Sequence, residues 1–196
     1  TGGLNSNLMR ALDDFIVKQD VPVKIIGVGK KGIAYSRRNN LELLGDFSGI
    51  GDRPQSKDTI KVANLLIDKF NAGNVDSFFV GYSQFINTTL QKPIITRLLP
   101  IEPDQLNSSS KEYIYEPTAG ELLSNLLPRY VQTLVHHSIL EANASEQSAR
   151  MVAMNQATDN ANEMVDNLTL LMNKKRQESI TNELLDIVGG VSALEG

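Results

Sequence analysis

The chain has 196 residues, of which 41% are hydrophobic and 21% are charged, a composition typical of a folded protein and not of a disordered one. Its formal net charge of −4 argues against the strongly basic surface of a nucleic-acid-binding protein, so we expect no nucleic-acid partner. The chain contains no cysteine, which excludes disulfides and thiolate metal sites, and it has no apolar run of membrane-spanning length, so we expect no direct membrane insertion.

The first half of the chain alternates between two hydrophobic periodicities. Apolar residues at helical spacing predict an amphipathic helix that begins near Leu4 and ends before Asp20, and a second helix between Ile60 and Phe70. Strands are predicted at residues 21–28, 77–82 and 94–99. Because strands alternate with helices, we predict an α/β domain over residues 1–116.

One glycine-rich turn in this domain resembles a dinucleotide-binding motif. Residues 27–32 fit the pattern G-x-G-x-x-G directly after a predicted strand, and Asp46 follows about twenty residues on. The helix predicted after Gly32 is, however, too short for the usual crossover. Glycines at 27 and 29 would equally relieve crowding where the backbone turns at a strand end, which is the interpretation we favour. A nucleotide-binding α/β protein remains the alternative.

A very long helix is predicted from Thr118 to about Gly190. Thr118 and Glu121 have the spacing of a capping box, and a straight helix of about 70 residues would span roughly 100 Å. We expect Gly189 and Gly190 to end it, and Pro128 to kink or break it, because proline lacks the amide that helices need. Residues 117–196 therefore form a second predicted domain.

The middle of this helix has a narrow stripe of small and apolar residues separated by steps of three and four. Such a stripe suits one close partner helix, as in a coiled coil, because small side chains let two helices approach. A lone helix of this composition would be only partly stable in water, so a coiled-coil scaffold is a further alternative. The stripe consists of Ala149, Ala153, Ala157, Ala161, Met164, Leu168 and Leu171.

No constellation of catalytic or metal-binding residues is recognisable. The two histidines, His136 and His137, are adjacent and would point about 100° apart on a helix, so they cannot clasp one metal ion. No serine has the setting of a nucleophile elbow, and the carboxylates are dispersed. We therefore predict no catalytic residue, no metal site and no cofactor.

Two segments near the carboxyl terminus resemble the gamma subunit of F-type ATP synthases. They are residues 144–154, Ala-Ser-Glu-Gln-Ser-Ala-Arg-Met-Val-Ala-Met, and residues 173–190, which nearly complete the signature Ile-Thr-x-Glu-x-x-Asp-x-x-x-Gly of that family. Val191 stands where alanine is usual in the family. Further agreements lie at residues 2–5, 31–32, 85–88 and 115–117, so the resemblance runs along the whole chain.

The resemblance implies a non-catalytic rotor shaft. In that family a long amino-terminal helix and a first strand precede the segment matched by residues 2–5, so the chain would correspond to roughly the last two thirds of a gamma subunit. It would have a Rossmann-like foot domain, which does not use its glycine turn for a nucleotide, and a carboxy-terminal helix forming half of an antiparallel coiled coil. The subunit would transmit rotation between the membrane ring and the catalytic beta subunits.

The resemblance also implies partners and contact residues. The partners would be the alpha and beta subunits, the epsilon subunit and the membrane c-ring, at the cytoplasmic face of a bacterial inner membrane. Basic and polar residues of the helix would meet loops of the alpha and beta subunits, an apolar tip would turn within them, and three foot residues would lie near epsilon and the c-ring. The implied contact residues are Lys174, Lys175, Arg176, Gln177, Thr181, Glu183, Ile187 and Val188 in the helix, and Tyr113, Tyr115 and Glu116 in the foot.

Overall fold

The computed structural model describes residues 1–101, 116 and 118–194. Its elements, in chain order, are α1 (Leu4–Ile16), β1 (Lys24–Val28), α2 (Gly29–Arg38), β2 (Glu42–Phe47), α3 (Ser56–Asn71), β3 (Phe78–Phe85), β4 (Gln91–Leu99) and α4 (Ala119–Leu194). The α/β class with a long carboxy-terminal helix is confirmed. The chain divides into two compact units, 1–150 and 151–196, and α4 contributes to both. The predicted division into domains 1–116 and 117–196 stays a prediction.

The strands form two small sheets. β1 and β2 pair in parallel with Lys24 opposite Glu42, and the Lys24 Nζ lies 3.0 Å from the Glu42 Oε1. β3 and β4 form an antiparallel hairpin that pairs Phe78 with Leu99 at its open end. Sequence reasoning missed β2, which is short and interrupted by Gly45. It also began β1 too early, because Val21 is 65% exposed and precedes the strand.

The core of the first unit lies where three layers meet. It joins α3, the hairpin and the part of α4 near Val131, whose side chain is only 2% exposed. Burial of these aliphatic and aromatic side chains is the main source of stability in a domain of this size. The fully packed cluster consists of Val62, Ala63, Leu66, Phe78, Leu98, Leu99, Val131 and Val135.

Helix α4 begins where the sequence indicates but runs further than expected. The Thr118 Oγ1 accepts a hydrogen bond from the Glu121 amide at 3.3 Å, which confirms the predicted cap. The helix continues through Pro128 and past Gly189 and Gly190, so the expected break and the expected end are both wrong. A proline costs about 3 kcal/mol and a glycine about 1 kcal/mol in a helix interior, and the good helix formers Leu126, Leu127 and Arg129 around Pro128 favour continuation of the helix there.

The apolar face at the start of α4 is only partly buried. Val131 and Val135 join the core, whereas Leu123, Leu126 and Leu127 remain exposed. Helical spacing alone therefore does not show how far along the helix the core extends. Among the helices in the described part of the chain, none combines the length and apolar character of a membrane span.

Candidate interaction surface of the carboxy-terminal helix

The second unit, residues 151–196, exposes an unusual amount of apolar surface. Many large apolar side chains between Met154 and Val191 are exposed. Each of them has 49% to 68% of its surface accessible to solvent. A folded protein seldom leaves so many apolar side chains in water unless a partner covers them. These side chains belong to Met154, Met164, Val165, Leu168, Leu170, Leu171, Met172, Ile180, Leu184, Leu185, Ile187, Val188 and Val191.

Two sets of apolar positions on this helix lie on different faces. A proximal face continues the predicted stripe from Ala157 to Leu171, and a distal face repeats at steps of four, three and four from Ile180 to Val191. An α-helix turns by about 100° per residue, so Ile180 lies roughly half a turn around the axis from Leu171. A single neighbour running straight along one side of the helix cannot cover both faces.

A basic band, Lys174 to Arg176, separates the two apolar faces. Successive helical residues point about 100° apart, so these side chains, with Gln177, surround the helix axis. All are exposed, and the Lys175 Nζ lies 2.8 Å from the Glu178 Oε2. An exposed ion pair of this kind contributes only about 0 to 1 kcal/mol, so it does not restrict the band strongly. The positive charges therefore point in three directions around the helix, and the neutral Gln177 occupies the remaining side.

The remaining contact residues expected from the sequence lie in different parts of the chain. On the distal part of α4, Thr181, Glu183, Ile187 and Val188 are all exposed, and the Ser179 hydroxyl lies 3.5 Å from the Glu183 carboxylate. The structure thus brings the helical contact residues together on one element.

In the foot, Glu116 is exposed, whereas Tyr113 and Tyr115 lie outside the described residues. The assigned contacts of the helical and foot residues remain predictions.

The glycine turn of the first unit has a packing explanation. A Cβ atom at Gly27 would lie 2.6 Å from the Ile33 Cγ1 and 3.2 Å from the Ile33 amide nitrogen. Such contacts are far inside van der Waals distance, so only glycine lets α2 approach β1 this closely. Gly29 has a φ of +81°, a backbone conformation that favours glycine. The interpretation based on crowding is confirmed for Gly27.

Sequence reasoning missed a cleft of about 740 Å³ in the first unit. Its walls come from α1, β1, β3 and α4, at positions such as Leu12, Ile26, Val80 and Ile139. At its edge the buried Tyr35 hydroxyl donates to the Asp13 carboxylate. Burial, and secondly the hydrogen bond and charge of Asp13, raise the pKa of Tyr35. No periodic signal in the sequence connects these distant segments.

The two histidines have separate neighbours. The His136 Nδ1 lies 3.1 Å from the Thr59 Oγ1, which links α4 to α3, while the His137 Nε2 lies 3.8 Å from the Glu141 Oε1. Within the described residues, no group of three or more metal-ligating side chains comes together. The adjacent pair therefore contributes to helix packing and to the helix surface.

Comparison with protein families and known sequences identifies relatives of the whole chain. A family model described as ATP synthase matches residues 1–194. The ATP synthase gamma chain of Dehalococcoides mccartyi (strain CBDB1) is 49% identical over 194 residues, which cover 98% of this chain and 68% of that protein. The ATP synthase gamma chain of Actinobacillus pleuropneumoniae serotype 3 is 44% identical over 200 residues, covering 98% of this chain and 69% of that protein.

Solved structures show the same fold. A chain in the cryo-EM structure of Euglena gracilis mitochondrial ATP synthase (OSCP/F1/c-ring, rotational state 3) matches with a TM-score of 0.68 and 19% identity, over 98% of this chain and 68% of that chain. A chain in the Tetrahymena thermophila mitochondrial ATP synthase (central stalk/c-ring) matches with a TM-score of 0.61 and 19% identity, over 80% and 70%. Sequence identity near one half along almost the entire chain shows that this chain belongs to the ATP synthase gamma chain family.

Proposed function

We propose that this chain is the rotor shaft of an F-type ATP synthase and transmits rotation between the membrane c-ring and the catalytic beta subunits. As a gamma chain it is a non-catalytic subunit of the central stalk. The observation that carries the mechanical role is the exposed apolar surface along residues 151–191, which requires partners outside this chain.

The two apolar faces fit two kinds of partner. The proximal face contains Ala157 and Ala161, and small residues permit the close approach of a second helix in an antiparallel coiled coil. The distal face, from Ile180 to Val191, has larger side chains and points to the opposite side. We assign it to a bearing formed by the alpha and beta subunits, in which apolar contacts allow turning because they have no preferred direction.

The basic band suits contact with acidic loops of the beta subunits. Because Lys174, Lys175 and Arg176 point in three directions around the helix, positive charge faces the surrounding subunits over much of each rotation. Attraction between exposed charges extends over about 8–10 Å and needs no fixed geometry, so it tolerates sliding. Gln177, Thr181 and Glu183 would add polar contacts, and Ile187 and Val188 belong to the apolar tip.

Rotation couples to catalysis only if different sides of the shaft contact different states of the beta subunits. A shaft that interacted equally with all states would shift no equilibrium. Each apolar face covers only one side of the helix at its own level, so the helix surface is asymmetric there. That asymmetry supplies the differential contacts that bias each beta subunit in turn.

The foot, residues 1–116, would rest on the c-ring beside the epsilon subunit, with Glu116, Tyr113 and Tyr115 near that contact, and residues 117–196 would form the shaft. The chain is a peripheral, membrane-associated subunit of the synthase. We place it at the cytoplasmic face of a bacterial inner membrane, which the bacterial origin of the relatives named above supports.

The test is charge reversal of the basic band in the full-length chain. Changing Lys174, Lys175 and Arg176 together to Glu should lower ATP synthesis by the reconstituted complex about tenfold, equivalent to about 1.4 kcal/mol, because attraction becomes repulsion. The control reverses three exposed cations of the foot, Arg53, Lys57 and Lys61, and so makes the same change in net charge.

Two outcomes would count against the proposal. Equal ATP synthesis in the charge-reversed variant of the basic band and in the control would contradict the proposed role of the basic band. A wild-type chain that associates with itself but restores no coupled synthesis with alpha and beta subunits would indicate a coiled-coil scaffold instead.

A further inference from the structure

Two buried serines of α4 are hydrogen-bonded to the β3–β4 hairpin. The Ser145 Oγ donates to the Ser83 carbonyl at 2.8 Å, and the Ser148 Oγ donates to the Thr88 carbonyl at 2.9 Å. A serine in a helix commonly donates instead to a carbonyl of its own helix, as Ser124 does. Ser145 is completely buried, so its hydrogen bond has no competition from water.

A third polar contact lies on the same side of the helix. The Glu141 carboxylate accepts a hydrogen bond from the Phe85 amide at 3.2 Å. Glu141 precedes Ser145 by four residues, and Ser148 follows Ser145 by three, so all three side chains lie on one face of α4. These three residues are called the hairpin joint here.

The hairpin offers the backbone groups that the joint uses. Alternate residues of a strand direct their amide and carbonyl groups to the same edge, so Ser83 and Phe85 share one edge of β3. Ser83 lies opposite Pro93 of β4. Ser83 and Phe85 bond to α4 through their shared edge, so this edge faces away from β4. The Ser83–Pro93 pair therefore exchanges no ladder bonds, and the Ser83 carbonyl is available to α4.

The end of the hairpin is held by its own hydrogen bonds. The Asn87 Oδ1 accepts from the Thr89 amide at 3.0 Å and from the Leu90 amide at 2.8 Å. The Gln91 Nε2 donates to the Asn87 carbonyl at 3.2 Å and to the Thr88 carbonyl at 3.1 Å. The carbonyl that Ser148 contacts is therefore already fixed in position.

We propose that Glu141, Ser145 and Ser148 fix the rotational setting of α4 on the hairpin, so that torque passes between foot and shaft without slip. This inference rests on the proposed function. Apolar packing has no direction and would allow a helix to roll on its support. Three hydrogen bonds at different heights along the helix have direction, and rolling would break all three. The three residues are positioning residues and take no part in chemistry.

Hydrogen exchange in the full-length chain tests the contact itself. We expect Glu141→Ala, Ser145→Ala and Ser148→Ala, combined, to accelerate amide exchange of Phe85 at least about tenfold, because its acceptor is removed. Ser124→Ala is the matched control, since that serine bonds only within its own helix and is exposed. Exchange equal to that of the control would overturn the joint. Glu141→Ala alone provides a milder variant if the combined one fails to fold, because it still removes the acceptor of the Phe85 amide.

Coupling in the reconstituted complex tests the transmission of torque. The ratio of ATP synthesis to ATP hydrolysis should fall several-fold in Ser148→Ala, remain unchanged in Ser124→Ala, and recover in Ser148→Thr, which keeps the hydroxyl. If the ratio of synthesis to hydrolysis stays unchanged while amide exchange of Phe85 becomes faster, the hairpin joint is only a folding contact. That result would overturn its role in transmitting torque. A wild-type chain that supports no synthesis would refute the proposed function, while exchange would still decide whether the joint exists.

Discussion

The two units of the chain obtain their stability in opposite ways. Residues 1–150 pack α3, the hairpin and part of α4 around a buried cluster, whereas the large apolar side chains of α4 from Met154 to Val191 are exposed. The same helix contributes to both units, so the contrast does not arise from secondary structure. Val131 and Val165 show it most directly, because one is 2% exposed and the other 60% exposed.

This contrast indicates that local sequence can specify a helix whose stability still depends on partners outside the chain. Long isolated helices with one narrow apolar stripe are only marginally stable in water, since packing supplies most helical stability in proteins. The second unit therefore depends on contacts from other subunits, while the first depends on its own core. The same type of substitution should therefore lower the free energy of unfolding in the first unit and change it little in the second.

The largest expected effect is at the two valines. Val131→Asp places a charge in the core and should lower the free energy of unfolding by about 4 kcal/mol or more. Val165→Asp makes the same chemical change on the same helix but in water, and should change it by no more than about 0.5 kcal/mol. Chemical denaturation of the chain measures both, and similar losses in the two variants would remove the contrast.

A smaller effect is expected at two glycines. Gly27→Ala should lower the free energy of unfolding by about 2–3 kcal/mol, because the new methyl group would overlap Ile33. Gly189→Ala meets no atom within 4 Å and should instead increase helicity, stabilising the helix by about 0.5–1 kcal/mol. Circular dichroism with denaturation measures both changes. A stabilising Gly27→Ala would contradict the close approach of α2 to β1.

The smallest expected effect is that of the Tyr35 hydroxyl. Tyr35→Phe removes a hydrogen bond to a carboxylate and should cost about 1.5 kcal/mol near neutral pH. Because folding raises the pKa of Tyr35, its contribution is complete below about pH 10, where the unfolded tyrosine begins to ionise, and declines as the pH rises further.

The difference in the free energy of unfolding between wild type and Tyr35→Phe should therefore become smaller above about pH 10. Tyr130→Phe, at an exposed tyrosine, is the control for loss of a hydroxyl. A difference that stays constant from pH 8 to pH 11 would contradict the raised pKa.

Local signals predicted the elements that depend on few residues. The spacing of Leu4, Leu8 and Leu12 gave α1 with its observed start, and Thr118 gave the beginning of α4 within one residue. The family signature near the carboxyl terminus led to the family that the comparisons confirm. Strand β2 was missed because its apolar run is too short to distinguish from a loop, and it forms only beside β1.

By itself, the sequence determined the α/β class, the long helix and its apolar stripe, because periodicity and capping are properties of neighbouring residues. Tertiary structure decided which apolar residues of α4 are buried, why Gly27 must be glycine, and that Ser145 and Ser148 bond to the hairpin. The serine hydrogen bonds join segments about 60 residues apart, and the Gly27–Ile33 contact arises from the angle at which α2 leaves β1; local propensity contains no information about either.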